Sequence, residues 1–128
     1  MRKICVAGSR TFSEYVIMEK VLDAVLSTIS EPVTIISGGA HGADTLAERY
    51  AKEHGIPLEV YPADWKKDWK RAGFIRNTQM ACIADELVAF WDGQSHGTAH
   101  MMEEMTKRGK PVTVFDIHGE RLCWSYPT

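Results

Sequence analysis

The sequence contains no uninterrupted apolar run near the roughly 20 residues that a membrane-spanning helix requires, and the apolar stretch of the opening MRKICVAGSR stops at Gly8. That is too short for the hydrophobic region of a signal peptide. Cysteine is scarce. Cys5, Cys82 and Cys123 are scattered and form no Cys-x-x-Cys pair, which fits free thiols in a reducing compartment and argues against a disulfide scaffold. The expected location is therefore the cytoplasm, with no membrane partner. Charge of one sign is also lacking. A net charge of −2 offers no general electrostatic grip on nucleic acid. The Gly-Lys-Ser/Thr of a Walker loop is missing, and so is a G-x-G-x-x-G fingerprint. The five histidines include one pair four apart, His96 and His100, with no evident third ligand, so no metal and no cofactor are assigned.

What is present is an alternation. Ile4 to Ala7, Val33 to Ser37, Leu58 to Tyr61, Leu87 to Trp91 and Val112 to Phe115 read as strands. The first shows no polar alternation, as expected for a strand covered on both faces. Between them lie helical patterns. Val16, Ile17, Val21, Leu22, Val25 and Leu26 recur at helical spacing behind Ser13, a candidate cap. Further helices are expected over Ala43 to His54, through Thr78, Met80, Ala81 and Ile83 to Ala84, and over Gly97 to Arg108. The tail HGERLCWSYPT is short enough to add an edge strand. Strands alternating with helices imply parallel pairing through right-handed crossovers. The expected fold is a Rossmann-like, three-layer α/β domain spanning residues 1–128, with a mainly parallel sheet of about five strands and helices on both faces.

In such sheets ligands bind beyond the carboxyl ends of the strands. Three segments belong on that rim. In Ser37-Gly38-Gly39-Ala40-His41-Gly42-Ala43-Asp44, side chains vanish where a strand hands over to a helix, so the turn can be tight and an anion can approach bare N–H groups. Asp44 is open to two roles: helix N-cap, worth about 1 kcal/mol, or acceptor of a ribose hydroxyl. In Trp91-Asp92-Gly93-Gln94-Ser95-His96-Gly97-Thr98, a helix starts at Gly97-Thr98, where the dipole favours an anion by about 0.3–1 kcal/mol. In Gly8-Ser9-Arg10, the guanidinium can reach over the rim to a phosphate. The basic middle segment adds Arg76 and Asn77, just before or within the start of a helix. It also holds Trp65 and Trp69, which either stack on a base or pack in a core or dimer interface.

The combination GSR, SGGAHGAD, ADW followed by AGFIRN, then AFWDGQSHGT and GKPV, resembles the YspA-like (cpYpsA-related) branch of the SLOG superfamily, from Ile4 to Val114. That superfamily also contains the DprA/Smf DNA-processing proteins and the LOG nucleotide hydrolases. The resemblance implies a Rossmann-like fold, a nucleotide or nucleotide-derived ligand and a homo-oligomer. It places the Gly38–Gly42 loop and Gly97-Thr98 at the ligand's phosphates. LOG hydrolases carry Pro-Gly-Gly before their Gly-Thr and a glutamate three residues after it. Here those places hold Gln94-Ser95-His96 and Met101.

The expected activity is binding, sensing or processing of such a ligand, for example a nucleotide sugar. The alternatives are cleavage of its N-glycosidic bond, with Asp92, Glu103 or Glu104 as acid or nucleophile, and DprA-like single-strand binding through Trp65 and Trp69. The acidic balance sets nucleic acid below the small molecule.

Overall fold

The computed structural model describes residues 1–124. Six strands form one sheet: β1 (Arg2–Gly8), β2 (Val33–Ser37), β3 (Leu58–Val60), β4 (Glu86–Phe90), β5 (Val112–Phe115) and β6 (Arg121–Leu122). The helices are α1 (Tyr15–Ser27), α2 (Ala43–Glu53), α3 (Trp65–Asp68), α4 (Ala72–Ile83) and α5 (His96–Lys107), with a 3₁₀ turn at Trp69–Arg71 between α3 and α4. The strand order is β3-β2-β1-β4-β5-β6. All neighbours run parallel except β6, which pairs antiparallel to β5 through Val114↔Leu122 and Phe115↔Arg121. The expected edge strand is thus present within the tail; residues 125–128 lie outside the described ones.

The central strands owe their unbroken apolar runs to burial on both sides. Ile4 and Val6 of β1, with Val88 and Phe90 of β4, face α1 and α2 and meet Met18, Leu22, Ala47 and Tyr50. Cys5 and Ala7, with Leu87 and Ala89, face α4 and α5 and meet Met80, Ala81, Met101 and Met105. Successive side chains of a strand point to opposite faces, so each strand supplies two cores. The second face is built from alanines and methionines. Short side chains bring the helices close to the sheet, and unbranched ones fill the irregular gaps.

Two helix starts differ from the expected caps. Glu14, not Ser13, precedes the first turn of α1, and its side chain makes no capping bond. Gly42 precedes α2, so Asp44 sits inside the first turn rather than at its cap. Gly42 has φ of 78°, and a side chain there would come under 3 Å from the Ser9 and Arg10 carbonyl oxygens. The loop after β2 therefore presses directly on the loop after β1, with the Ala43 N–H donating to the Ser9 carbonyl at 3.3 Å.

Strand order reverses between β1 and β4. The connection leaving β1 leads to the α1–α2 face and the one leaving β4 to α5 on the other face, which opens a crevice at the carboxyl edge. No helix among the described residues is long and apolar enough to cross a membrane.

Candidate functional site

The crevice has two connected parts. An inner recess of about 70 Å³ lies between Gly8, Asp44, Arg76, Asn77, Gly97 and Thr98, over a floor that includes Met80 and Met101. An outer cleft of about 470 Å³ is bounded by Gly39, His41, Pro62, Ala63 and Trp65. Arg10, Ala40 and Arg76 border both. The outer volume is within the range of about 300–1,000 Å³ usual for small-molecule pockets.

Backbone contacts draw the three rim segments together. Ser9, almost fully buried, accepts a hydrogen bond on Oγ from the Asp92 N–H at 3.1 Å. Its own N–H donates to the Phe90 carbonyl. Gly8 permits this closeness, since a Cβ there would run into the Phe90 carbonyl and Ala43. Gly97 is the opposite case. A Cβ built on it would meet nothing within 4 Å, so its bareness serves open space at the start of α5 and no packing need.

Arg76 and Asn77 lie in the second turn of α4. The Arg76 Nη1 donates to the Gly38 carbonyl, and its Nε donates to Asn77 Oδ1 at 3.0 Å. Asn77 then donates through Nδ2 to the Gly97 carbonyl at 3.0 Å and lies 3.2 Å from His100 Nδ1. One amide thus ties the guanidinium to the N-terminus of α5. Burial lowers the pKa of His100, which suits an acceptor Nδ1. Burial also lowers that of Arg76, against the opposing pull of the Asp44 carboxylate. Neither Arg76 nor Arg10 forms an ion pair among the described residues.

Asp44 is 6% exposed. Its Oδ2 accepts from the Ala40 N–H at 3.1 Å. Desolvation pushes its pKa up to about 6, although the Ala40 N–H, Arg76 and the Gly38 N–H all favour the charged form. The carboxylate thus occupies part of the glycine loop that an external anion was expected to fill. Gly38 itself is walled in, because a Cβ there would lie 2.6 Å from Arg76 Nη1 and 2.9 Å from Asp44 Oδ2. Ser37 is also engaged internally: its Oγ donates to Glu48 Oε2 at 2.9 Å and accepts from the Gly39 N–H at 3.2 Å.

Other candidates fall outside the crevice. Asp92 Oδ1 accepts from the Gln94 and Ser95 N–H groups, both at 2.8 Å, and these contacts lower its pKa. Gly93 supplies the positive φ of that same turn. Trp91 donates its indole N–H to the Ser95 carbonyl at 3.0 Å and packs against the α4–α5 core. Glu104 is spent between helices. Burial raises its pKa, but the Thr78 hydroxyl at 2.9 Å and the Lys107 ammonium at 3.3 Å outweigh that and leave it lowered. Neither Glu103 nor Glu104 borders the recess or the cleft. Of the two tryptophans, Trp65 walls the outer cleft, whereas Trp69 is 76% exposed with φ of 52°.

Sequence reasoning put Ser95 on the rim but gave it no role; its Oγ lies 3.2 Å from Thr98 Oγ1. A Ser-x-x-Thr pair straddling a helix start was the available signal. It also missed Pro62, Met80 and Met101, which carry no local signature.

Strand order, switch-point crevice and helices on both faces define a Rossmann-like α/β protein. The sequence model of the YspA, cpYpsA-related SLOG family matches residues 2–67. The Gene 61 protein of Mycobacterium phage D29 is 36% identical over 121 residues, which are 90% of this chain and 97% of that protein. The chain belongs to the YspA, cpYpsA-related SLOG family. Among solved structures, DNA processing protein A (DprA) from Streptococcus pneumoniae superposes with a TM-score of 0.71 at 20% identity. The match covers 91% of this chain and 50% of DprA. At that identity the likeness is one of fold, and this chain spans about half of DprA's length.

Proposed function

We infer that the crevice binds a nucleotide or a nucleotide-derived ligand such as a nucleotide sugar. The observation that carries this reading is the pair Arg10 and Arg76. Two guanidinium groups border one cleft with no carboxylate within ion-pair distance of either; Arg10 is near enough to oppose the charge on Arg76, and Asp44 offsets it only in part. Holding two like charges together is unfavourable unless an anion joins them, and planar guanidinium groups match phosphate well. The N-terminus of α5 at Gly97-Thr98 adds N–H groups to the same wall. Trp65 and Pro62 line the outer cleft and are the surfaces on which a base would stack.

The three carboxylates first considered for N-glycosidic cleavage stand away from this wall, so binding is the favoured reading over hydrolysis by them. Trp69, Phe74 and Ile75 are large apolar side chains exposed close together in sequence, on the 3₁₀ turn and α4, and a second copy of the chain would cover them. This supports a homo-oligomer, which sedimentation velocity tests.

The deciding experiment is a thermal-shift series with nucleotides. Ligand at a hundred times its dissociation constant adds about 2.7 kcal/mol, a rise of several degrees for this length. No shift with any nucleotide, for a protein also free of co-purifying ligand by mass spectrometry, would sink the reading. A series in salt separates it from single-strand binding, whose affinity falls steeply as counterions compete.

A further inference from the structure

Asp44 is the one feature of the crevice that an anion-binding site does not require. It places a carboxylate, more than nine-tenths buried, beside the guanidinium that would hold the phosphate. One oxygen is accounted for: Oδ2 accepts from the Ala40 N–H. The Gly38 N–H also favours the charged form, and no side chain among the described residues donates a hydrogen bond to Oδ1. Apart from Arg10, the other polar side chains of the recess are already paired. Asn77 is spent on Arg76, Gly97 and His100, and the Ser95 and Thr98 hydroxyls lie against each other. Asp44 is the one carboxylate that lines the recess and its strongest acceptor, so a donor group meets it best. A phosphate offers acceptors and negative charge, so it is repelled from Oδ1. Its place is beside Arg10, Arg76 and the Gly97-Thr98 start of α5, which border the same recess. The recess, at about 70 Å³, is too small for a purine but accommodates the edge of a sugar.

We propose that Asp44 reads the ribose hydroxyls of the ligand, so that the ligand sits with its sugar edge in the recess and its phosphates at the Arg10–Arg76 mouth. This rests on the nucleotide-binding reading above and adds an orientation and a specificity: a ribonucleotide over its deoxy counterpart. A hydrogen bond to a charged group is worth enough to discriminate about ten- to a hundredfold, because the analogue lacking the hydroxyl leaves the carboxylate buried without a partner.

The charged and titratable groups around Asp44 are Arg76 from α4, Glu48 one turn on in α2, Arg10 from the loop after β1 and Cys5 beneath it on β1. His100 lies behind Asn77 on the opposite wall. The ionised carboxylate is a much stronger acceptor for a hydroxyl than the neutral acid. Ribose preference should therefore shrink as pH falls through about 6.

The test compares the four ribonucleoside 5′-triphosphates with their 2′,3′-dideoxy counterparts by calorimetry or thermal shift, in wild type and Asp44→Asn. The substituted side chain keeps an oxygen for the Ala40 N–H. Expected is a preference of about ten- to a hundredfold for the ribo form in the wild type, closing in Asp44→Asn because the ribo form loses affinity while the dideoxy form does not. Equal binding of ribo and dideoxy forms by the wild type overturns the proposal and leaves nucleotide binding intact, whereas no binding of either removes the underlying reading. A preference that survives in Asp44→Asn also overturns it. Should that variant not fold, the wild type alone decides. The ribo/dideoxy ratio must fall between pH 7.5 and 5, and a ratio that holds or grows refutes the assignment.

Discussion

Replacing Asp44 by asparagine should make the protein more stable at neutral pH, even though it removes a group held by the glycine loop. The carboxyl titrates near 6 in the folded chain against an ordinary 3.8, and burial is the main cause. At about 1.4 kcal/mol per pH unit, that difference corresponds to about 3 kcal/mol. The sign follows from proton binding. The folded state holds the proton more tightly than the unfolded state, so the stabilising contribution is complete below pH 3.8. It is lost as pH rises through about 6. At pH 7.5 the wild type therefore carries a buried charge that costs up to about 3 kcal/mol, net of what Arg76 returns. The amide carries no such charge and still offers an acceptor to the Ala40 N–H. Thermal unfolding of both proteins from pH 3.5 to 7.5 measures the effect. Every other carboxylate titrates in both, so the difference isolates position 44. The melting temperature of Asp44→Asn should exceed that of wild type at pH 7.5 by several degrees, on the order of 10 °C at most. The two should converge at pH 3.5. A difference independent of pH, or one in which the variant is less stable at pH 7.5, would refute the reasoning. Retaining a charge at such a cost is what a site under functional demand does.

Other outcomes follow from the same geometry. Gly97→Ala should alter stability by no more than about 0.5 kcal/mol, since its Cβ enters open space. It should nevertheless weaken nucleotide binding about tenfold or more, and unchanged affinity would remove the α5 N-terminus from the site. Gly42→Ala should destabilise by at least about 2–3 kcal/mol in urea unfolding, because it combines a positive φ with a collision against the loop after β1. Arg76→Lys keeps the charge but loses the fork that reaches the Gly38 carbonyl and Asn77 together. Nucleotide affinity should fall by about tenfold or more, as a point charge replaces a bidentate donor.

The order of strands and helices was legible because local chemistry writes it. Apolar runs such as Cys5-Val6-Ala7 and Leu87 to Phe90 are too continuous for a sheet with a wet face, and glycine and proline punctuate each crossover. The rim segments were legible for the same reason, since bare residues at strand-to-helix turns are visible in one dimension. Helix starts were less so. Ser13 has the chemistry of a cap, yet α1 begins after Glu14, because packing of Met18 and Leu22 on the sheet sets the phase of the helix.

Which rim residues share a cavity, and which are already engaged, was settled by tertiary structure alone. Asp44, Asp92 and Glu104 are all carboxylates near a helix, and nothing in their spacing ranks them. Asp92 is satisfied by its own turn, and Glu104 by Thr78 and Lys107 across the α4–α5 contact. Of the three, Asp44 is the one that lines the crevice, buried beside an arginine more than thirty residues away in the chain. Periodicity along a chain reports what each residue does to its own helix or strand. Whether a polar atom still has capacity left depends on neighbours distant in sequence, and only the assembled sheet brings them within hydrogen-bonding range.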